Sequence, residues 1–142
     1  MIKKLATTNH KNENVDRALL IARIGISSLM LFHGIPKLMK LFGEGEIQFA
    51  DPIGIGVELS FMLVVFAEFF CSLLIFFGFA TRLAVIPLII TMLTAVFIYH
   101  SNDGFGAQEV GIQYLLMYIV LLIMGSGKYS IDGWLTRSKL KD

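Results

Sequence analysis

Charge is scarce in this chain: Asp, Glu, Lys and Arg make up 16% of its 142 residues, against 56% hydrophobic ones. A soluble domain carries nearer ~25% charge and ~45–50% apolar residues, so an ordinary water-facing surface is excluded. Cysteine is scarcer still. With Cys71 alone, the chain cannot build an intramolecular disulfide, a C-x-x-C redox centre or an iron–sulfur ligand set. A C-x-x-C-H haem attachment site and a glycine-rich nucleotide fingerprint are also missing. A self-contained sulfur oxidase working through a cysteine pair is thereby ruled out. The net charge of +1 gives no electrostatic footprint for nucleic acid.

The chain does have four long apolar runs. They predict membrane spans at about 16–38, 57–79, 82–100 and 109–125, within one domain covering residues 1–142. A crossing needs about 20 apolar residues, and the last two runs fall short. Arg82, His100 and Glu109 can complete them by reaching toward the headgroups. The first run comes after a basic N-terminus, as a secretory signal would. Arg23 interrupts it, however, and His33-Gly34-Ile35-Pro36-Lys37 replaces a small-residue cleavage pattern, so it reads as a retained helix. With short connections, the fold expected is all-α, an integral membrane four-helix bundle of up-down-up-down order.

Basic residues set the orientation. Lys3, Lys4, Lys11, Arg17, Arg82, Lys128, Arg137, Lys139 and Lys141 gather on one side, and only Lys37 and Lys40 on the other. Both termini are therefore expected in the cytoplasm. The polar stretch up to about Asn14 reads as a mobile tail, with Asp16 capping the first helix and Pro36 breaking or kinking its far end. The outer loop, from Leu38 to about Asp51, carries Phe42, Ile47 and Phe49 to lie on the membrane, and Asp51-Pro52 reads as the start of the second helix. Pro87 is expected to bend the third helix, Ser101-Asn102-Asp103-Gly104 to make the second outer turn, and Gly125-Ser126-Gly127 to end the fourth span. Lys128, Tyr129 and Trp134 resemble an interfacial anchor.

Two ionisable residues inside the apolar runs are the first candidates for chemistry: Arg23 and Glu68. A charge at bilayer depth costs at least ~2.5 kcal/mol, so each must find a partner, line a wet cavity or be neutralised. Helical spacing sets Arg23, Ser27, Met30, Gly34 and Lys37 on one stripe, and Phe61, Val65, Glu68, Ser72 and Ile75 on another. Pro87, Thr91, Thr94 and Ile98 mark the third helix's inner stripe, and Gln113, Met117 and Met124 the fourth's. Comparable depths, roughly 10 and 16 Å, predict an Arg23–Glu68 ion pair, either chemical or purely architectural.

A second polar group collects at the outer helix ends: His33, Lys37, Glu58, His100, Glu109 and Gln113. No H-x-x-x-H spacing is present, and no metal site is expected. A pocket for a polar headgroup, with His33 and His100 donating hydrogen bonds or passing protons, suits these residues better. The phenylalanines of the second helix and the scattered methionines suit a quinone ring or a lipid tail, or serve as packing and lipid-facing bulk.

Taken in order, these features resemble the DoxX family of small four-helix bacterial membrane proteins. The carriers are Arg23; His33-Gly34 followed by Lys37; Ala67-Glu68 leading to Gly78 and Thr81-Arg82; His100; and Gly127-Lys128-Tyr129-Ser130-Ile131-Asp132. The resemblance covers nearly everything from Ala18 to Asp132. Members similar to this include the DoxD-type small subunit of thiosulfate:quinone oxidoreductase. It implies the bacterial cytoplasmic (inner) membrane and either a quinone-linked oxidoreductase role or an accessory role beside a redox enzyme, without an established catalytic set to carry over.

The leading expectation is thus a quinone-binding subunit: Glu68 carries protons, Arg23 is its counter-charge, and His33, Lys37, Thr94 and His100 surround the quinone. An electron donor would have to come from other membrane subunits. The alternatives are a non-catalytic subunit that stabilises a larger complex or self-associates, and a small proton-coupled carrier. The carrier is the least attractive, because no inverted repeat is visible.

Overall fold

The computed structural model describes residues 12–139. Lys3, Lys4, Lys11 and Lys141, which contributed to the charge count, and most of the polar N-terminal stretch lie outside the described residues. Among the described residues, four helices are long and apolar enough to cross a bilayer: α1 (Asn12–Leu41), α2 (Val57–Phe77), α3 (Thr81–Tyr99) and α4 (Phe105–Met124). A short amphipathic helix, α5 (Ile131–Lys139), comes after them. Each long helix packs on its sequence neighbours and α4 closes the ring on α1, giving the expected membrane bundle.

The inner stripes of α1 and α2 lie where helical spacing puts them. Arg23, Ser27, Met30 and Gly34 are buried on α1, as are Phe61, Val65, Glu68, Ser72 and Ile75 on α2. The other two stripes differ. On α3 the buried line is Ala84, Val85, Leu88, Met92 and Val96, while Ile98 is exposed. On α4 it is Tyr114, Leu115, Tyr118 and Leu121, with Gln113 and Met124 outside. Neither of these helices buries a charged residue, and weak polarity alone does not mark the inward face: lipid and protein interior are equally greasy, and packing shape decides.

Several boundaries also move. The first helix already includes Asn12, the first described residue, so Asp16 lies inside it and accepts instead from the backbone N–H of Lys128, at 2.9 Å. Pro36 does not end α1, which continues to Leu41. Asp51 does not begin α2: its carboxylate takes the N–H groups of Ile55 and Gly56 and the Ser60 hydroxyl, so the loop folds back before the helix starts at Val57. The Ser60 hydroxyl, then the Gly56 N–H, hold that carboxyl below its ordinary value.

Two helices contain a wide turn, Phe66–Cys71 in α2 and Ala95–Tyr99 in α3, where the hydrogen-bond ring expands by one residue. Such π turns are uncommon and recur at functional sites. Here one carries Glu68 and the other delivers His100.

Candidate functional site

Arg23 and Glu68 do not meet. The guanidinium of Arg23, itself 2% exposed, donates to the carbonyls of Ile75 (3.2 Å), Phe76 (2.9 Å) and Tyr129 (2.6 Å). Two of these lie in the last turn of α2, where the helix dipole is negative; Ile75 shares its carbonyl with the Gly78 N–H, and both terminal guanidinium nitrogens find acceptors without a carboxylate while Nε stays unpartnered. The expected ion pair is thus corrected, and Arg23 becomes an architectural clamp.

A carboxylate complements it a few residues away. Asp132, at the start of α5, accepts from the N–H groups of Ala80 (2.8 Å) and Thr81 (3.1 Å), capping α3 from outside. Its own N–H donates to the carbonyl of Gly78. The segment Gly127 to Asp132 therefore folds under the bundle and ties α1, α2 and α3 together. Gly78, at φ 69°, leaves no space for a side chain: an added Cβ would collide with the Arg23 guanidinium.

Glu68 pairs with Lys37. The ammonium lies 2.6 and 2.5 Å from the two carboxylate oxygens, with the carboxylate side chain 6% exposed and the lysine 30%. Gly34, one turn before Lys37, makes this possible. A Cβ at that position would stand 2.6 Å from the Glu68 carbonyl oxygen, so only glycine lets α1 touch the wide turn of α2.

The pair sits in a cavity of about 420 Å³ between α2 and α3, within the size range of ligand pockets. Thr91, Thr94, Tyr99 and His100 line it from α3, and Ser60, Leu63 and Val64 from α2. Residues 48–50, 52, 53 and 55 of the α1–α2 loop form its roof. His100 is held at the rim: its Nδ1 lies 2.6 Å from Asp103, and Tyr99 packs edge-on at 4.6 Å between ring centres. An ionised carboxylate only accepts, so Nδ1 turns its N–H toward Asp103.

Of the residues singled out in the sequence, Lys37, Glu68, Thr94 and His100 come together here. Arg23 does not, and His33 lies exposed on α1 with its ring edge-on to Tyr114. Glu58 and Glu109 are exposed as well. Among the described residues, no three of His, Cys, Asp and Glu are grouped as metal ligands. Sequence reasoning missed Asp132 as the α3 cap, Asp51 as the loop latch and Asp103 as the partner of His100. The Lys37–Glu68 pairing did carry a signal, since Lys37 shares the inner stripe of α1.

Fold and site define a small four-span helical membrane protein with a neutral ion pair in a cavity between α2 and α3 and a clamp where the Gly127–Asp132 segment meets α1, α2 and α3. The DoxX family pattern matches residues 18–101. The chain belongs to the DoxX family. It is 31% identical over 124 residues to the inner membrane protein YphA of Escherichia coli, covering 80% of this chain and 87% of that one. It is 34% identical to the inner membrane protein YqjF of the same organism, over 86% of this chain and 95% of YqjF. A Bacillus subtilis protein named "Putative oxidoreductase CatD" is 30% identical over 90% of this chain and 94% of its own length. No solved structure matches.

Proposed function

We propose that the chain is a quinone-binding subunit of an inner-membrane oxidoreductase, with both termini in the cytoplasm, and that the cavity holding Lys37 and Glu68 receives the quinone headgroup. The supporting observation is the composition of that cavity: one neutral ion pair among mainly apolar walls, with an oriented imidazole at the rim. Such a lining favours an uncharged ring with carbonyl acceptors over an ion. A lysine ammonium has three N–H donors and Glu68 takes two of them, so the third is free to hold a carbonyl oxygen. A quinone would supply reversible uptake of two electrons and two protons. Glu68 and His100 supply groups that can hold and pass protons in the lining of the cavity, and Thr94 offers a hydroxyl on its wall. The likeness to a relative named for oxidoreductase activity points the same way.

Native mass spectrometry of the chain, extracted gently from its own membrane, tests the reading. Quinone at a fixed stoichiometry is expected, with affinity lowered about tenfold or more in Lys37→Met, because a charged hydrogen bond is lost. Co-extraction with a larger complex and no quinone would overturn it in favour of a purely stabilising subunit.

A further inference from the structure

We infer that the cavity opens sideways into the bilayer between α2 and α3, so that its ligand enters from the lipid and keeps a hydrocarbon tail there. Three observations carry this. First, the residues that wall the cavity also face outward: Leu63 of α2 is 49% exposed and Ile90 of α3 is 58% exposed, and both line the cavity. Exposed lining residues mark where the cavity surface runs onto the outside, and Leu63 and Ile90 put one such opening at the α2–α3 seam.

Second, the helices part at this level. The stretch Phe66–Phe77 of α2 packs on both α1 and α3, whereas Val57–Val65 packs chiefly on α1. The wide turn at Phe66–Cys71 falls where α2 departs from α3, and the wide turn at Ala95–Tyr99 redirects α3 at its own end. An expanded turn shifts the register of the neighbouring turns and lets two helices diverge without a break.

Third, the route from the aqueous side is roofed. The loop is latched by Asp51 to Ile55, Gly56 and Ser60, and Lys40 donates to the Gln48 carbonyl at 2.9 Å. Phe49 packs edge-on against Phe61, with ring centres 5.1 Å apart. A water-borne ligand would have to unfasten this roof, whereas a lipid-borne one meets the side chains of Leu63 and Ile90. The lining fits a molecule with a small uncharged head, held at Lys37 and Glu68, and a single flexible tail passing between those two side chains. The identity of the head as a quinone rests on the proposed function, and the portal does not.

The two can be tested separately with the full chain in nanodiscs. With Thr94→Cys in a Cys71→Ala background, a bimane label at position 94 reports on the cavity. Quenching by nitroxide-bearing phospholipid, with indifference to aqueous iodide, is expected; quenching by iodide alone would overturn the portal whatever the ligand is. Adding a long-chain isoprenoid quinone should relieve the nitroxide quenching. If it does not, the occupant is a phospholipid chain and the quinone-tail assignment falls while the portal stands. Leu63→Trp and Ile90→Trp should each weaken binding of the isoprenoid quinone about tenfold, the factor lost with roughly two buried methylenes, and leave a tail-less benzoquinone within about twofold. Equal loss of both probes, or of neither, would overturn the passage of the tail between these side chains.

Discussion

A double-mutant cycle on Glu68 separates the two cations that share the inner stripe of α1. The variants are Glu68→Gln combined with Lys37→Met or with Arg23→Met, and the readout is the free energy of reversible unfolding in mixed micelles followed by circular dichroism. Lys37 touches both carboxylate oxygens of Glu68. Arg23 is anchored at Ile75 and Phe76, seven or eight residues along α2 and so about 10 Å away. At an effective dielectric constant of about 20, opposite charges ~3 Å apart attract by roughly 5 kcal/mol and charges ~10 Å apart by less than ~2. Desolvation consumes much of either value. The coupling expected is about 1–3 kcal/mol for Lys37 with Glu68, and within ~0.5 kcal/mol of zero for Arg23 with Glu68. Taken singly, Arg23→Met should be the most damaging of the three, at roughly 3–5 kcal/mol, since it removes the donor that ties the Phe76 and Ile75 carbonyls at the end of α2 to the Tyr129 carbonyl of the segment below the bundle. An Arg23–Glu68 coupling as large as that of Lys37–Glu68 would refute the assignment of partners.

Other consequences are as direct. Gly34→Ala should cost about 2–3 kcal/mol and lower the thermal midpoint, because the new methyl meets the backbone of Glu68 and Phe69, which cannot swing aside; an unchanged midpoint would mean α1 does not touch the wide turn. Asp132→Ala should cost roughly 1–2 kcal/mol by uncapping α3, with amide exchange at Ala80 and Thr81 accelerating in parallel. The Asp51 latch should be pH-dependent. Its carboxyl titrates lower in the folded loop than in the unfolded chain, so its contribution is complete above the ordinary carboxylate value and disappears as pH falls through the folded one. Exchange of the Ile55 and Gly56 amides should track that loss, and Asp51→Asn should flatten the profile.

The apolar runs and the scarcity of charge were enough to define four spans and a bundle, because a bilayer leaves helices almost no alternative way to satisfy their backbone. Family membership was also legible, from single residues recurring in order between the spans. The inner faces of α1 and α2 could be read because each carries an ionisable residue that cannot face lipid. The faces of α3 and α4, whose residues are apolar or weakly polar all round, could not. Helix boundaries slipped for a related reason: Pro36 and Asp51 are ordinary punctuation in water, but one lies within a continuing span and the other latches a loop.

By itself, the sequence determined which charges are buried and therefore need partners. Tertiary structure decided which partner each one takes, since a wide turn in α2, a glycine contact at Gly34 and a tail segment folded under the bundle set the distances that side chains must bridge. Coulomb attraction falls with distance and hydrogen bonds end within a few ångströms, so a partner close in three dimensions displaces one that only shares a helix face.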